Sequence, residues 1–313
     1  MIRLNIKAFI RNSVKFPFRG GPKSLRSYSG TETLAVALRR DKMAVTGLCL
    51  LTFFVLIGAL APVLAPYDPN QVHRNQSGTI LVLQPPSWRH PFGTTNLGRD
   101  VLSMTIMGTR VALLVGVLAA LLVTLIGTSL GLVSGYHGGW VDSLIMRVVD
   151  ILYGIPLLPS VLVLVVLLGP NFWNFVIVVT LLSWRSTARI IRSQVLSIKE
   201  RPFVKAAKVT GASTFRILFV HIAPNILPLA LLEMALAVGW VIVTEASLSF
   251  VGFGDPQLLS WGQVLHMAFL TGSARSAWWW IIPPGLAIML VLLGVFFATR
   301  ALEEIVNPRL RQL

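Results

Sequence analysis

Two acidic residues stand alone in a long apolar stretch of the sequence, and their chemistry needs an explanation. Glu233 and Glu245 are the only charged residues in 225–250. A carboxylate among apolar groups is costly unless it meets water or a polar partner. Each therefore either lines a polar path through the protein or accepts a hydrogen bond from a neighbouring helix. We favour the hydrogen bond for Glu245 and leave Glu233 open between the two roles.

No catalytic or metal constellation accompanies these carboxylates. The sequence contains no H-E-x-x-H and no G-x-x-x-x-G-K-[ST]. The five histidines (73, 90, 137, 221 and 266) are too scattered to indicate a metal site, and the single cysteine, Cys49, excludes an intrachain disulfide. We predict no catalytic residue, no metal ligand and no ATP site. A membrane-embedded enzyme is the alternative, and it would need a nucleophile, base or metal set that these two glutamates do not supply.

The composition indicates a membrane protein. Of 313 residues, 55% are hydrophobic and 12% charged, against about 25% charged in a soluble domain. The net charge of +15 would also suit a nucleic-acid-binding protein, but so apolar a chain argues against that class. Cations concentrated in cytoplasmic loops explain the charge better.

Uncharged stretches predict an all-α protein with about six transmembrane helices. The predicted starts lie near residues 43, 111, 149, 172, 225 and 277. The first helix covers 43–65 and leads into a loop, 66–108, containing turns and a short helix. A Gly-Pro-Asn turn at 169–171 divides one long apolar run into spans 151–169 and 172–191.

The distribution of Lys and Arg predicts the orientation. Cations concentrate in 1–42 and in 185–216, whereas 66–108 has only Arg74, Arg89 and Arg99. We therefore expect both termini and the 185–216 segment in the cytoplasm, and 66–108 outside. In the tail, cations recur every fourth residue from Arg3 to Lys23. This spacing suits a helix lying on anionic lipid, and a disordered basic tail is the alternative.

The segment 203–228, "FVKAAKVTGASTFRILFVHIAPNILP", interrupts the apolar chain with small and cationic residues. Read as a helix, it places Val204, Ala207, Gly211 and Phe215 on one side, with Gly211 as an expected helix end. Lys205 and Lys208 point elsewhere, toward water or an acidic partner. Either a soluble partner docks here, or the helix lies passively on lipid. The prolines Pro224 and Pro228 restrict the connection to the next span.

The same segment resembles the cytoplasmic coupling loop of ABC importer permeases, whose pattern is Glu-Ala-Ala, three residues, then Gly. Ala206, Ala207 and Gly211 match, and Pro224-Asn225 matches the peptide-importer version. Lys205 stands where the family has Glu, which removes the basis for an acidic role there. Further stretches at 90–116, 135–156, 244–254 and 260–265 resemble the C-type subunit of dipeptide and oligopeptide importers. The resemblance runs from about Leu34 to the C-terminus.

The resemblance implies a type I ABC importer permease fold in the cell membrane. It implies a five-helix core at 109–306, a coupling loop at 192–222 and a cytoplasmic tail at 307–313. Implied partners are a homologous B-type permease, two cytoplasmic ATPases that bind ATP and Mg, an external substrate-binding protein and membrane lipid, with no nucleic acid and no cofactor in this chain. Peptides are the implied cargo, with oligosaccharides or nickel as alternatives, and Glu233 and Glu245 become candidates to line the translocation path. The implied ATPase-coupling residues are Val204, Lys205, Ala206, Ala207, Gly211, Ala212, Phe215 and Pro224.

Overall fold

The computed structural model describes residues 42–306, and their regular structure is helical apart from two isolated β-bridges. The predicted tails lie outside this range, except for Lys42. Nine helices are described in it: α1 (Lys42–Leu64), α2 (Val101–His137), α3 (Gly139–Gly154), α4 (Leu157–Leu168), α5 (Phe172–Lys199), α6 (Pro202–Val209), α7 (Thr214–Val251), α8 (Trp261–Leu270) and α9 (Trp278–Val306). A short 3₁₀ turn, Ser273–Arg275, precedes α9. The all-α expectation is confirmed.

Five of these helices (α1, α2, α5, α7 and α9) are long and apolar enough to cross a membrane. The bent pair α3 and α4 makes a sixth span if it is counted as one. The predicted span 151–169 is not one continuous helix, because α3 and α4 meet within it at 89°. Pro156 causes the break: the residue before a proline is disfavoured in helical geometry, and Ile155 is extended, with φ −98° and ψ 125°.

The α2 and α5 helices pack closely through a row of glycines. A Cβ atom added at Gly127, Gly131 or Gly135 would lie 2.6, 2.8 or 2.7 Å from the Cβ of Thr187, Ile191 or Val195, respectively. The four-residue spacing keeps these glycines on one face of α2. Small residues let membrane helices approach closely, so this row sets the distance between α2 and α5.

The loop before α2 is shorter than predicted. The sequence assigned 66–108 to it, but α2 already begins at Val101, because the Asp100 side chain accepts a hydrogen bond from the Ser103 backbone N–H and caps the helix. Residues 66–100 contain turns and the two bridges, and no helix. The prediction of a separate short helix within 66–108 was therefore wrong. A short helix from another part of the chain, α8, packs at this end, and its Trp261 Nε1 donates to the Thr105 carbonyl of α2 at 2.9 Å.

The connection between α5 and α7 is more helical than predicted. The predicted span 172–191 continues to Lys199, because Val195 and Ile198 are buried against the bundle. Residues 192–199 of the predicted loop 192–222 are therefore part of α5. The α7 helix begins at Thr214 and passes through a π-helical turn, Ile217–Ile222, before Pro224. Pro224 lacks an N–H, so the wide turn accommodates it without ending the helix.

The bundle has two ends, each named here after its short helix. The α8 end comprises residues 66–100, α8 and the helix ends beside them. The α6 end comprises α6, its flanking residues 199–217 and the α2–α3 junction.

Candidate functional site: the α6 segment and two membrane carboxylates

The α6 helix is a short element with defined ends. Pro202 occupies its first turn, where a missing N–H is harmless. The chain leaves the helix at Gly211, which has φ +82°, a conformation that side chains other than glycine disfavour. The Ala212 N–H donates to the Ala207 carbonyl at 3.0 Å and closes the cap. The sequence prediction of a helix end at Gly211 is confirmed.

One side of the α6 segment is anchored in the bundle. Val204 is 3% exposed and packs in a cluster with Ile198 and Ile217. Ala212 packs against the same cluster. These two predicted coupling residues therefore hold α6 in place and do not face outward.

The other side of the segment is an exposed apolar surface. Val209 is 87% and Phe215 is 70% exposed. Phe203 and Ala206 are exposed as well, whereas Ala207 is half-buried. We call Phe203, Ala206, Val209, Gly211 and Phe215 the α6 face. The predicted single helical side through Val204, Ala207, Gly211 and Phe215 is not formed, because α6 ends at Val209 and Phe215 lies on α7.

Sequence reasoning missed Phe203 and Val209. The three-residue step 203–206–209 carries the signal, since residues three apart lie on one side of a short helix. The predicted helical side starts at Val204, but Val204 lies on the buried side of α6.

The charges of the segment pair locally. Lys205 Nζ lies 2.9 Å from Glu200 Oε2, with both side chains exposed. The hydrogen bond from Lys205 lowers the pKa of the Glu200 carboxyl. Lys199 Nζ donates to the Gly135 carbonyl at 2.8 Å, which ties the end of α5 to α2. Lys205 thus has an acidic neighbour in its own chain. Lys208 lines a surface pocket together with Lys205 and Glu200.

An ion pair secures the base of this end. Asp142 on α3 accepts two hydrogen bonds from the Arg192 guanidinium of α5, both at 2.5 Å, and one from Ser134 of α2. Bidentate pairs of this kind fix orientation as well as distance. Three helices are therefore tied together next to α6. Pro224, another predicted coupling residue, is exposed on α7 after the π-helical turn.

The two membrane carboxylates have different surroundings. Glu245 is 7% exposed and accepts a hydrogen bond of 2.6 Å from Ser249 Oγ, one turn along its own helix. Glu233 is partly exposed and lines a cavity with Ser183, Ser186 and Thr187 of α5. The Glu233 carboxylate has no ion pair or hydrogen bond within residues 42–306. Of these two carboxylates, Glu233 is the one that is unpaired within residues 42–306 and faces an open space.

Metal-binding clusters are also missing from the described range. No group of three His, Cys, Asp or Glu side chains within residues 42–306 is placed to hold an ion.

A bundle of apolar spans with an exposed short helix between two of them is the architecture of a multi-pass membrane protein. The chain belongs to the family of binding-protein-dependent transport system inner membrane components, which it matches over residues 127–312. Residues 35–86 match the N-terminal transmembrane domain of oligopeptide transport permease C. The resemblance inferred from the sequence is confirmed.

Individual relatives agree with this assignment. The dipeptide transport system permease protein DppC of Bacillus subtilis is 38% identical over 287 residues, which cover 91% of this chain and 88% of that protein. The oligopeptide transport system permease protein OppC of the same organism is 35% identical over 290 residues, covering 92% and 93%. The DppC protein of Haemophilus influenzae is 34% identical over 281 residues, covering 88% and 93%.

Proposed function

We propose that this chain is a C-type permease subunit of an ATP-driven importer of di- or oligopeptides, and that residues 203–228 couple it to ATPase subunits. The observation that carries the coupling role is the α6 face, which is apolar and exposed although Val204 anchors the helix beneath it. Exposed apolar patches mark surfaces that bind partners. The peptide cargo is supported by the names of the relatives, which describe dipeptide and oligopeptide permeases.

The proposal includes the assembly and its division of labour. A homologous B-type permease completes the translocation path, two cytoplasmic ATPases bind ATP and Mg, and an external protein delivers the cargo. This chain then needs no cofactor and performs no covalent chemistry. An ATPase moving against the α6 face transmits force through the Ala212 and Val204 contacts into α5 and α7.

The orientation belongs to the same proposal. The cation-rich segment 185–216 supports a cytoplasmic α6 end, an inner-membrane location and cytoplasmic termini. We expect a Val209→Cys variant in a Cys49→Ser background to react with an impermeant thiol reagent only in inverted vesicles. Labelling in intact cells would reverse the assigned topology. The related expectation for Lys7, Arg11 and Lys15, that they lie on the cytoplasmic membrane surface, concerns residues outside the described range.

Gly211→Glu tests the coupling role. The variant places a charge on the α6 face, where burial against a partner without a compensating group costs several kcal/mol. We expect ATPase co-purification and peptide uptake to fall at least about tenfold, the effect of about 1.4 kcal/mol.

Gly78→Glu is the matched control, because both glycines have nearly equal backbone angles, φ +82° and +81°, and open space around them. The strain of a side chain at positive φ is therefore the same, but Gly78 lies at the α8 end. If both variants lower uptake equally, or if Gly211→Glu leaves assembly and uptake intact, the α6 face is not the ATPase contact.

A further inference from the structure

A polar cavity lies within the membrane part of the bundle, between α2, α5 and α7. Its volume is about 330 Å³. Apolar side chains form much of its wall, and the polar atoms come from two helices. The lining includes Ser183, Ser186 and Thr187 on α5, and Glu233 and Trp240 on α7.

The Glu233 carboxylate in this cavity lacks a counter-charge. The nearby cations of α5 are engaged elsewhere: Arg185 donates to the Leu152 carbonyl, and Arg189 contacts Asp150 at 2.5 Å. An ionisable group inside a membrane protein ordinarily faces a partner or a functional path. Glu233 therefore has no partner within residues 42–306 and is free to bind a ligand that enters the cavity.

A second polar group points to the same conclusion. Ser183 lines the cavity and is 9% exposed, and its Oγ has no hydrogen-bond partner within the described range. Buried side-chain oxygens are nearly always hydrogen-bonded. The cavity thus presents the Glu233 carboxylate, and the unpaired Ser183 hydroxyl lies buried in its wall, where a small side-chain rotation would expose it; both groups accept hydrogen bonds. A ligand rich in donors and carrying positive charge complements them.

We propose that Glu233 and Ser183 bind the protonated amino group of the cargo during its passage through the permease. This inference rests on the proposed peptide cargo, whose amino terminus is a primary ammonium with three donors and no acceptor. Trp240 contributes an aromatic wall, and aromatic faces attract cations. The site selects for the amino end of a peptide, because Glu233 repels the carboxylate end. A lone carboxylate among hydroxyls is a poor site for nickel, which prefers nitrogen-rich ligand sets.

Accessibility of Ser186 in the assembled transporter tests this proposal. Ser186→Cys, in a Cys49→Ser background and in nanodiscs, reports on the cavity while Glu233 stays in place. A cationic methanethiosulfonate should modify Ser186→Cys preferentially, and the ratio of its rate to that of an anionic reagent is the measured quantity. This ratio should be larger with Glu233 present than in the chain that also carries Glu233→Gln. Dialanine should slow modification at a concentration at least about tenfold lower than N-acetyl-dialanine requires, because the acetylated peptide lacks the ammonium that makes the charge-assisted hydrogen bond. A complex that retains Ser186 serves as the control and measures the background modification of cysteines in the partner subunits.

The variants distinguish a binding role from a structural one. Glu233→Gln should abolish both the cationic preference and the protection, and Ser183→Ala should weaken the protection even where Glu233→Gln fails to assemble. Glu303→Gln, a change of an exposed carboxylate on α9, should leave both unchanged. The proposal is overturned if the cationic reagent is not preferred, or if dialanine and its acetylated form protect equally. It is also overturned if such a result arises because a cation of the partner permease occupies the site.

Uptake by the unmodified complex separates this inference from the proposed function. If dialanine is not imported but propylamine still protects Ser186→Cys in a manner that needs Glu233, the cargo assignment fails and the ammonium site stands. If dialanine is imported and no amine protects, the ammonium site fails and the importer stands.

Discussion

The two ends of the bundle use their polar groups in opposite ways. At the α8 end, carboxylates pair internally: Asp100 contacts His90 at 2.9 Å while capping α2, and Asp255 accepts the Phe172 N–H at 2.9 Å. His73 Nε2 and Trp280 Nε1 at the same end have no hydrogen-bond partner within the described residues. At the α6 end, the outermost charges pair in solvent, and large apolar side chains stay exposed beside them.

This difference separates a region that maintains its own shape from one that offers a surface. Buried, satisfied polar networks rigidify the structure around them. An exposed apolar face contributes little hydrophobic stabilisation until a partner covers it. The α8 end thus stabilises the fold, and the α6 end is the place where binding can act on the bundle. Substitutions at the first should change stability, and substitutions at the second should change assembly and transport.

Asp100→Ala should give the largest stability effect. The change removes two buried hydrogen bonds with Ser103, one of which, from the Ser103 N–H, is the cap of α2, and it leaves His90 Nδ1 without its partner. We expect a loss of about 3 kcal/mol, from about 1 for the cap and the remainder for the buried groups.

The measurement is the thermal unfolding midpoint of the purified complex in detergent, followed by tryptophan fluorescence. Asp68→Ala is the control, because Asp68 is exposed and only closes a turn with the Asn70 N–H. Similar midpoints for the two variants would contradict the view that the buried network holds this end.

The next effect is a pH dependence centred on His73 of the α8 end. The His73 ring lies against Tyr67 and His90, with centroid distances of 4.4 and 4.7 Å. Burial lowers the pKa of His73, the charge of nearby His90 lowers it further, and Asp100 opposes the shift. In the unfolded chain this histidine protonates near pH 6.5. Because the unfolded state then binds more protons, stability should fall as the pH drops below about 6.5 and be retained above it.

His73→Gln should reduce that pH dependence. The unfolding midpoint is compared between pH 7.5 and 5.5 in the wild type, in His73→Gln and in His137→Gln. His137 is exposed at the α6 end, so its variant should follow the wild type. If His137→Gln flattens the profile as much as His73→Gln does, the buried ring pair is not the source.

Much of the fold was predictable because hydropathy reports directly which segments prefer lipid. The five long spans and the helix end at Gly211 follow from apolar runs and from a glycine whose backbone angle other residues disfavour. The bend at Ile155–Pro156 was missed although the proline is visible, because the apolar run continues through it. Uncharged runs also conceal which side of a helix is buried.

The candidate site was harder to read for the same reason. Val204 and Val209 are chemically identical, and only the packing of Ile198 and Ile217 against one of them makes it an anchor. Glu233 and Glu245 also look alike in the sequence. Their difference arises from Ser249, one turn away from Glu245, and from the α5 residues that surround the cavity beside Glu233. Ser249 is a local neighbour four residues along the same helix, whereas the α5 residues are tertiary neighbours and carry no local sequence signal.

Lys205→Ala should have the smallest effect of all. Its ion pair with Glu200 measures 2.9 Å, but the two side chains are 62% and 65% exposed, so water and salt screen the attraction. We expect an unfolding midpoint indistinguishable from the wild type and uptake close to it, while the pKa of the Glu200 carboxyl returns toward its ordinary value. The measurements are the unfolding midpoint and peptide uptake of the reconstituted complex, with Gly211→Glu in parallel. If Lys205→Ala impaired uptake as severely as Gly211→Glu, the Lys205 ammonium itself would contact the ATPase, and the α6 face would be ionic as well as apolar.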